Sequence, residues 1–130
     1  MQVGSTAHFL SLQNGKTMDI RGASEKEGAE VICFQKHGGE NQLFFVDTQI
    51  GWIVNVFSRK AITYDVAQAK LVQQNYCSSI YQQWIFEQYQ AGFIIRSAND
   101  GEHVITYDQK EKTLILRPFM SEEGQVWYLN

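Results

Sequence analysis

Five residues near the start of the chain, Asp19, Phe34, His37, Asn41 and Gln42, have the types needed to grip a small ligand rich in hydroxyls. A carboxylate accepts hydrogen bonds from two neighbouring hydroxyls, and an amide both donates and accepts, so Asp19 and Asn41 form a complementary pair. Phe34 offers a flat plate on which an apolar C–H face can stack while water is excluded. His37 opens the run His37-Gly38-Gly39-Glu40-Asn41-Gln42, in which Gly38 and Gly39 carry no Cβ and let the backbone approach a ligand closely. Plainer alternatives stand beside each: Asp19 capping a turn, His37 as an ordinary loop residue, Phe34 facing the core, and Gln42 holding Asp19 or the loop backbone before it touches any ligand.

Other chemistries find little support. His8, His37 and His103 are scattered, and no Gly-x-Ser-x-Gly, His-Glu-x-x-His or phosphate loop occurs. Asp19 with His37 lacks a nucleophile, so the expectation is a protein that is not an enzyme and uses no cofactor or metal. With 11 Lys and Arg against 14 Asp and Glu, a net charge of −3, there is no basic stripe to release counterions from a phosphate backbone, and nucleic acid is not an expected partner. No window nears the roughly 20 apolar residues of a membrane span, so no membrane insertion is expected. The N-terminus lacks the pattern of a leader peptide, which leaves a cytoplasmic protein or a processed, secreted module. Cys33 and Cys77 do not have ligand spacing and read as two buried free thiols, with a disulfide as the alternative.

The elements that must position the five residues are short strands. Ten Gly and a single Pro, with many aromatic and β-branched residues, favour strands and tight turns over helices. Ala7 to Leu12 and Thr17 to Ile20 flank Asn14-Gly15, the dipeptide of a two-residue hairpin. Residues 21 to 27 read as a loop, Val31 to Phe34 as a strand, Lys36 to Asn41 as a turn, and Gln42 to Asp47 as a strand. The pattern restarts at Trp52 to Phe57, turning through Ser58-Arg59-Lys60 into Ala61 to Tyr64. It restarts again at Gly92 to Arg96, turning into Val104 to Tyr107.

Spacing turns this impression into a repeat. Phe44, Trp84 and Trp127 close successive units 40 and 43 residues apart, and Gln42, Gln82 and Gln125 stand two positions before them. Val31, Leu71 and Leu114 stand 13 positions before the same aromatics. The second and third units share Ile-Thr-Tyr-Asp at Ile62–Asp65 and Ile105–Asp108, where the first has Asp19 in the Thr position and four more residues before its Gln. All of this predicts an all-β, barrel-like fold in a single domain, 1–130, with repeats near 7–47, 48–90 and 91–130 and the closing aromatics in a shared core.

Three Gln-x-aromatic endings in register resemble the QxW repeats of the ricin B-type, or R-type, β-trefoil lectins, over essentially Ala7 to Leu129. The resemblance implies a β-trefoil with pseudo-threefold symmetry, a short barrel capped at one end by hairpins. It also implies carbohydrate binding, specifically of glycans ending in galactose or N-acetylgalactosamine, and the His-Gly-Gly-x-Asn-Gln loop is similar to that of small invertebrate-type galactose lectins. Carried over residue by residue, the sugar site would comprise Asp19, Ile20, Phe34, His37, Gly39, Asn41 and Gln42. Two departures from the family pattern fall at Ile32, where a Gln is common, and at Phe34, where Trp is common. In the other repeats the Asp position holds Thr63 and Thr106, the aromatic position Gln74 and Arg117, the His position Cys77 and Met120, and the Asn position Tyr81 and Gly124. One main site in the first repeat is therefore expected, with Asp65 and Asp108 as turn formers. Useful avidity would come from a homodimer or an additional domain. The alternative from another class is a β-trefoil that docks on proteins, such as a protease inhibitor, and binds no sugar.

Overall fold

The structure, a computed structural model, describes residues 6–130; residues 1–5, the start of the expected domain, lie outside the described residues. The described chain is all-β: β1 (Ala7–His8), β2 (Leu10–Ser11), β3 (Thr17–Ile20), β4 (Val31–Phe34), β5 (Phe44–Asp47), β6 (Trp52–Asn55), β7 (Ala61–Asp65), β8 (Lys70–Gln74), β9 (Trp84–Tyr89), β10 (Gly92–Ser97), β11 (His103–Asp108), β12 (Thr113–Pro118) and β13 (Tyr128–Leu129). They form three antiparallel sheets in the orders β1-β5-β6-β7-β8, β12-β11-β10-β9 and β13-β2-β3-β4. The opening strand of each repeat bonds to closing aromatic segments, through His8 with Phe44, Gly51 with Trp84, and Phe93 with Trp127. Because β2 also pairs with β13, the barrel closes on itself and its strands are not left as free edges.

The core is built in threes. Phe44, Trp84 and Trp127 are buried together with the anchors Val31, Leu71 and Leu114 and with Leu10, Ile53 and Ile95 from the opening strands. Each such side chain contributes roughly 2–3 kcal/mol of apolar burial. The indole N–H groups of Trp84 and Trp127 donate to the carbonyls of Ile62 and Ile105, both at 3.1 Å. Phe44 has no such donor, so the closing aromatic of the first repeat is held by packing alone.

Three local expectations are corrected. The Asn14-Gly15 turn is a three-residue loop, since Leu12 N–H donates to Lys16 O and Gly15 N–H donates back to Leu12 O. Gly15 takes the left-handed position, φ 91°, that bulges a hairpin of this length. The fifth strand begins at Phe44 and not at Gln42, because Glu40–Gln42 forms a 3-10 turn that swings the Gln42 side chain inward. Cys33 is buried as expected, with a thiol pKa raised by burial, but Cys77 is exposed on the loop after β8; both are free thiols.

Candidate functional site

The Gln of each repeat ending is a buried pivot. Its side-chain oxygen accepts from the backbone of the preceding loop, and its amide donates to the carbonyl seven residues earlier and to the residue aligned with Asp19. In the second repeat Gln82 reaches Thr63 Oγ1 at 3.2 Å, and in the third Gln125 reaches Thr106 Oγ1 at 3.2 Å. In the first repeat Gln42 Nε2 donates to Asp19 Oδ2 at 2.8 Å and to Gln35 O at 2.9 Å, while its Oε1 accepts from His37 N and Gly38 N at 2.9 and 3.2 Å. The positional match among Asp19, Thr63 and Thr106 is thus also a match of bonding.

What distinguishes the first node is spare capacity. Thr63 and Thr106 each accept from their Gln and donate to a strand carbonyl, which uses both roles of a hydroxyl. Asp19 is only an acceptor, with about four lone-pair positions on its carboxylate. Gln42 takes one and Asn41 Nδ2, at 3.2 Å from Oδ1, takes another. Asp19 is 3% exposed yet lines an open depression of about 450 Å³ together with Arg21, Ile32, Phe34, His37 and Asn41. Its pKa is raised from the ordinary 3.8 by burial, against the lowering effects of the Gln42 bond, His37, the Asn41 bond and Arg21.

The other expected residues divide by what they face. Phe34, the last residue of β4, is 53% exposed, so it is a surface plate and not core. The His37 ring stands edge-on to it, with centroids 6.4 Å apart, and its Nε2 lies 3.7 Å from Asp19 Oδ2. His37 Nδ1 accepts the backbone N–H of Gly39 at 3.0 Å. A Cβ on Gly39 would fall 2.7 Å from the His37 ring and 2.8 Å from Asn41 Oδ1, so this glycine makes room for two protein side chains. The side chain of Ile20 lies in the core, and only its carbonyl meets the site, accepting from Asn41 Nδ2 at 3.3 Å. Gln42 is fully buried behind Asp19, as its structural alternative anticipates.

Arg21, Gly22, Ala23 and Ile32 also line the depression, and of these only Ile32 drew notice in the sequence. Arg21 had a signal of its own. It stands two residues beyond Asp19, where the other repeats carry Asp65 and Asp108, and it opens the loop that is longer in the first repeat. Among the described residues no group of three or more His, Cys, Asp or Glu is placed to hold a metal ion, and no helix is long and apolar enough to cross a membrane.

No protein-family model and no curated protein sequence matches the chain. Solved structures do. ThreeFoil, a designed threefold-symmetric protein, superposes with a TM-score of 0.84 at 23% identity, covering 95% of this chain and 96% of its own. The C-half of an earthworm R-type lectin, solved in complex with GalNAc, gives 0.78 at 20% identity over 95% of this chain and 97% of its own. The Rhizoctonia solani agglutinin gives 0.79 at 19% identity over 99% and 96%. Identities this low speak to architecture, and together with the threefold core and the closed barrel they show that the chain has a β-trefoil fold, shared with these proteins.

Proposed function

We propose that the protein is a carbohydrate-binding lectin, not an enzyme, that takes terminal galactose or N-acetylgalactosamine at one main site in its first repeat. The observation that carries this reading is the half-used carboxylate of Asp19, held by Asn41 and Gln42 at the floor of a shallow depression beside the exposed Phe34. A galactose ring suits that arrangement. Its two adjacent hydroxyls donate to the free lone pairs of Asp19, the Asn41 amide completes the set, and the apolar ring face lies on Phe34. The earthworm lectin half bound to GalNAc has the same architecture and supports the choice of ligand class.

In this reading residues 1–130 act as a single domain, and the second and third repeats serve packing. Three or four net hydrogen bonds of roughly 1 kcal/mol each and one stacking contact, set against ordering costs, give a Kd on the order of 0.1–1 mM for a monosaccharide. Avidity on a cell surface then comes from a dimer or a linked domain. The test is retention on immobilised galactose and elution by free sugar, followed by a glycan array with the natural chain and Asp19→Ala side by side. Folded protein that flows through the column would overturn the lectin reading in favour of a protein-docking trefoil, and normal binding by Asp19→Ala would displace the site.

A further inference from the structure

The rim of the same depression carries charge that a neutral hexose does not use. Of the residues lining it, the ionisable ones are Asp19, Arg21 and His37. Asp19 is sunk at the floor, whereas Arg21 stands at the edge with 58% of its side chain exposed. Its neighbour Gly22 leaves the adjacent space open, with nothing within 4 Å of where a Cβ would be.

Arg21 is partnered, but incompletely. Its hydrogen bond to Glu30 Oε1, at 3.0 Å, uses Nε alone, so the Nη edge of the guanidinium fork is not engaged by that bond. Glu30 is also shared: its second oxygen lies 3.8 Å from Lys70 Nζ. One carboxylate therefore faces two cations, so Glu30 neutralises Arg21 only in part, and Arg21 is the cation among the residues that line the depression, opposite the Asp19 carboxylate at its floor. The aligned positions in the other repeats have the opposite sign. Asp65 and Asp108 fold back onto their own turns, accepting from Gln68 and from Lys110, so the cation is particular to the repeat that holds the open carboxylate.

We propose that Arg21 is a specificity-determining residue that directs this site toward galactose-type sugars bearing an anionic substituent, a sulfate or a carboxylate. A planar fork with a free edge matches an anionic oxyacid better than a hydroxyl, because charge-assisted hydrogen bonds are shorter and stronger than neutral ones. The inference rests on the sugar-binding reading of the site and adds the charge of the ligand to it. At a half-exposed rim solvent screens the attraction, so the expected gain in affinity is about fivefold.

The experiment is calorimetric titration of the whole chain with methyl galactoside, its monosulfates and methyl galacturonide, at about 0.05 M and about 0.5 M salt, which spans weak and strong screening. At least one anionic galactoside should bind about fivefold tighter than the neutral one at low salt, and the preference should shrink at high salt. In Arg21→Gln the ratio of anionic to neutral affinity should fall to about one, and Arg21→Lys should restore part of it. A preference for the sulfates alone or for the uronide alone supports the inference and names the source of the charge. Equal or weaker binding of every anionic ligand by the natural chain, or a preference that survives in Arg21→Gln, would overturn it while leaving the galactose site standing. Binding of neither neutral nor anionic ligand would remove the sugar-binding reading and this inference together.

Discussion

The first repeat and the other two build the same joint from different parts. Each folds a buried Gln back onto the strand that carries Asp19, Thr63 or Thr106. In the second and third repeats the joint closes on a threonine hydroxyl that has both its roles filled, and in the first on a carboxylate with acceptor positions to spare. The surroundings diverge to match. Around Thr106 the neighbouring surface is crossed by an ion pair, Arg117 to Asp108 at 3.2 Å, and Gly124 offers no side chain where Asn41 stands. Around Thr63 the Asn41 position holds Tyr81, and the His37 position holds the exposed Cys77. A threefold scaffold has thus kept its structural joint three times and built it on a carboxylate once.

The largest effect should come from breaking what the repeats share. Trp84→Ala removes a buried indole and its bond to Ile62 and should cost about 3–5 kcal/mol of stability, read by denaturant unfolding. Equal stability of that variant would contradict the threefold core. Next comes converting the open joint into a closed one. Asp19→Thr gives the first repeat the chemistry of the other two, and galactose affinity should fall by roughly tenfold or more, as losing hydrogen bonds to a charged group implies. Its unfolding temperature should not drop by more than about 4 °C, the shift that about 1 kcal/mol produces. A collapse in stability with binding intact would reverse the roles assigned to the two kinds of joint.

Acid probes the same carboxylate. Because burial raises the Asp19 pKa above its ordinary 3.8, sugar affinity should decline with falling pH through a midpoint above that value, measured by titration across the acid range. For folding the sign is opposite. A group with a raised folded pKa contributes its stability fully below the unfolded pKa and loses it as pH rises through the folded one. Binding should therefore weaken in acid without Asp19 itself drawing stability down. Phe34→Ala should weaken binding by about 0.5–1.5 kcal/mol, the worth of an aromatic contact, and leave the unfolding curve nearly unmoved since the ring is on the surface. Smallest of all, Cys77→Ser should change neither binding nor stability, while in the natural chain a thiol reagent should label Cys77 and spare Cys33.

The sequence carried the repeating parts clearly because burial repeats with them. Val31, Leu71 and Leu114, with the closing aromatics, could be placed in the core from spacing alone, and the structure puts all of them there. Asp19, Phe34, His37 and Asn41 could be grouped because they share one repeat and its offsets, and they line one depression. What escaped depends on where side chains turn. The hold of Gln42 on Asp19 is among the sequence readings, but the 3-10 turn that aims its amide is not, and Gln42 therefore reads as the start of a strand. Cys77 reads as a small core residue because its type is usually buried, but the loop that carries it lies outside the barrel. Arg21 reads as a solvated loop charge, and only the path of the longer loop brings it to the rim.

The bond from the Gly39 backbone to His37 Nδ1 has a consequence for the grammar of the site. A main-chain N–H can only donate, so Nδ1 must be the accepting nitrogen and the ring of neutral His37 carries its proton on Nε2. That edge then offers a hydrogen and takes none. A ligand atom facing it must bring a lone pair, so a fluorine in place of a hydroxyl would be accepted there and an ammonium group refused, whereas the carboxylate of Asp19 a few ångströms away imposes the reverse rule. At the proposed sugar site, deoxyfluoro and amino sugars would therefore probe the balance between these two groups, which stand 3.7 Å apart at Nε2 and Oδ2.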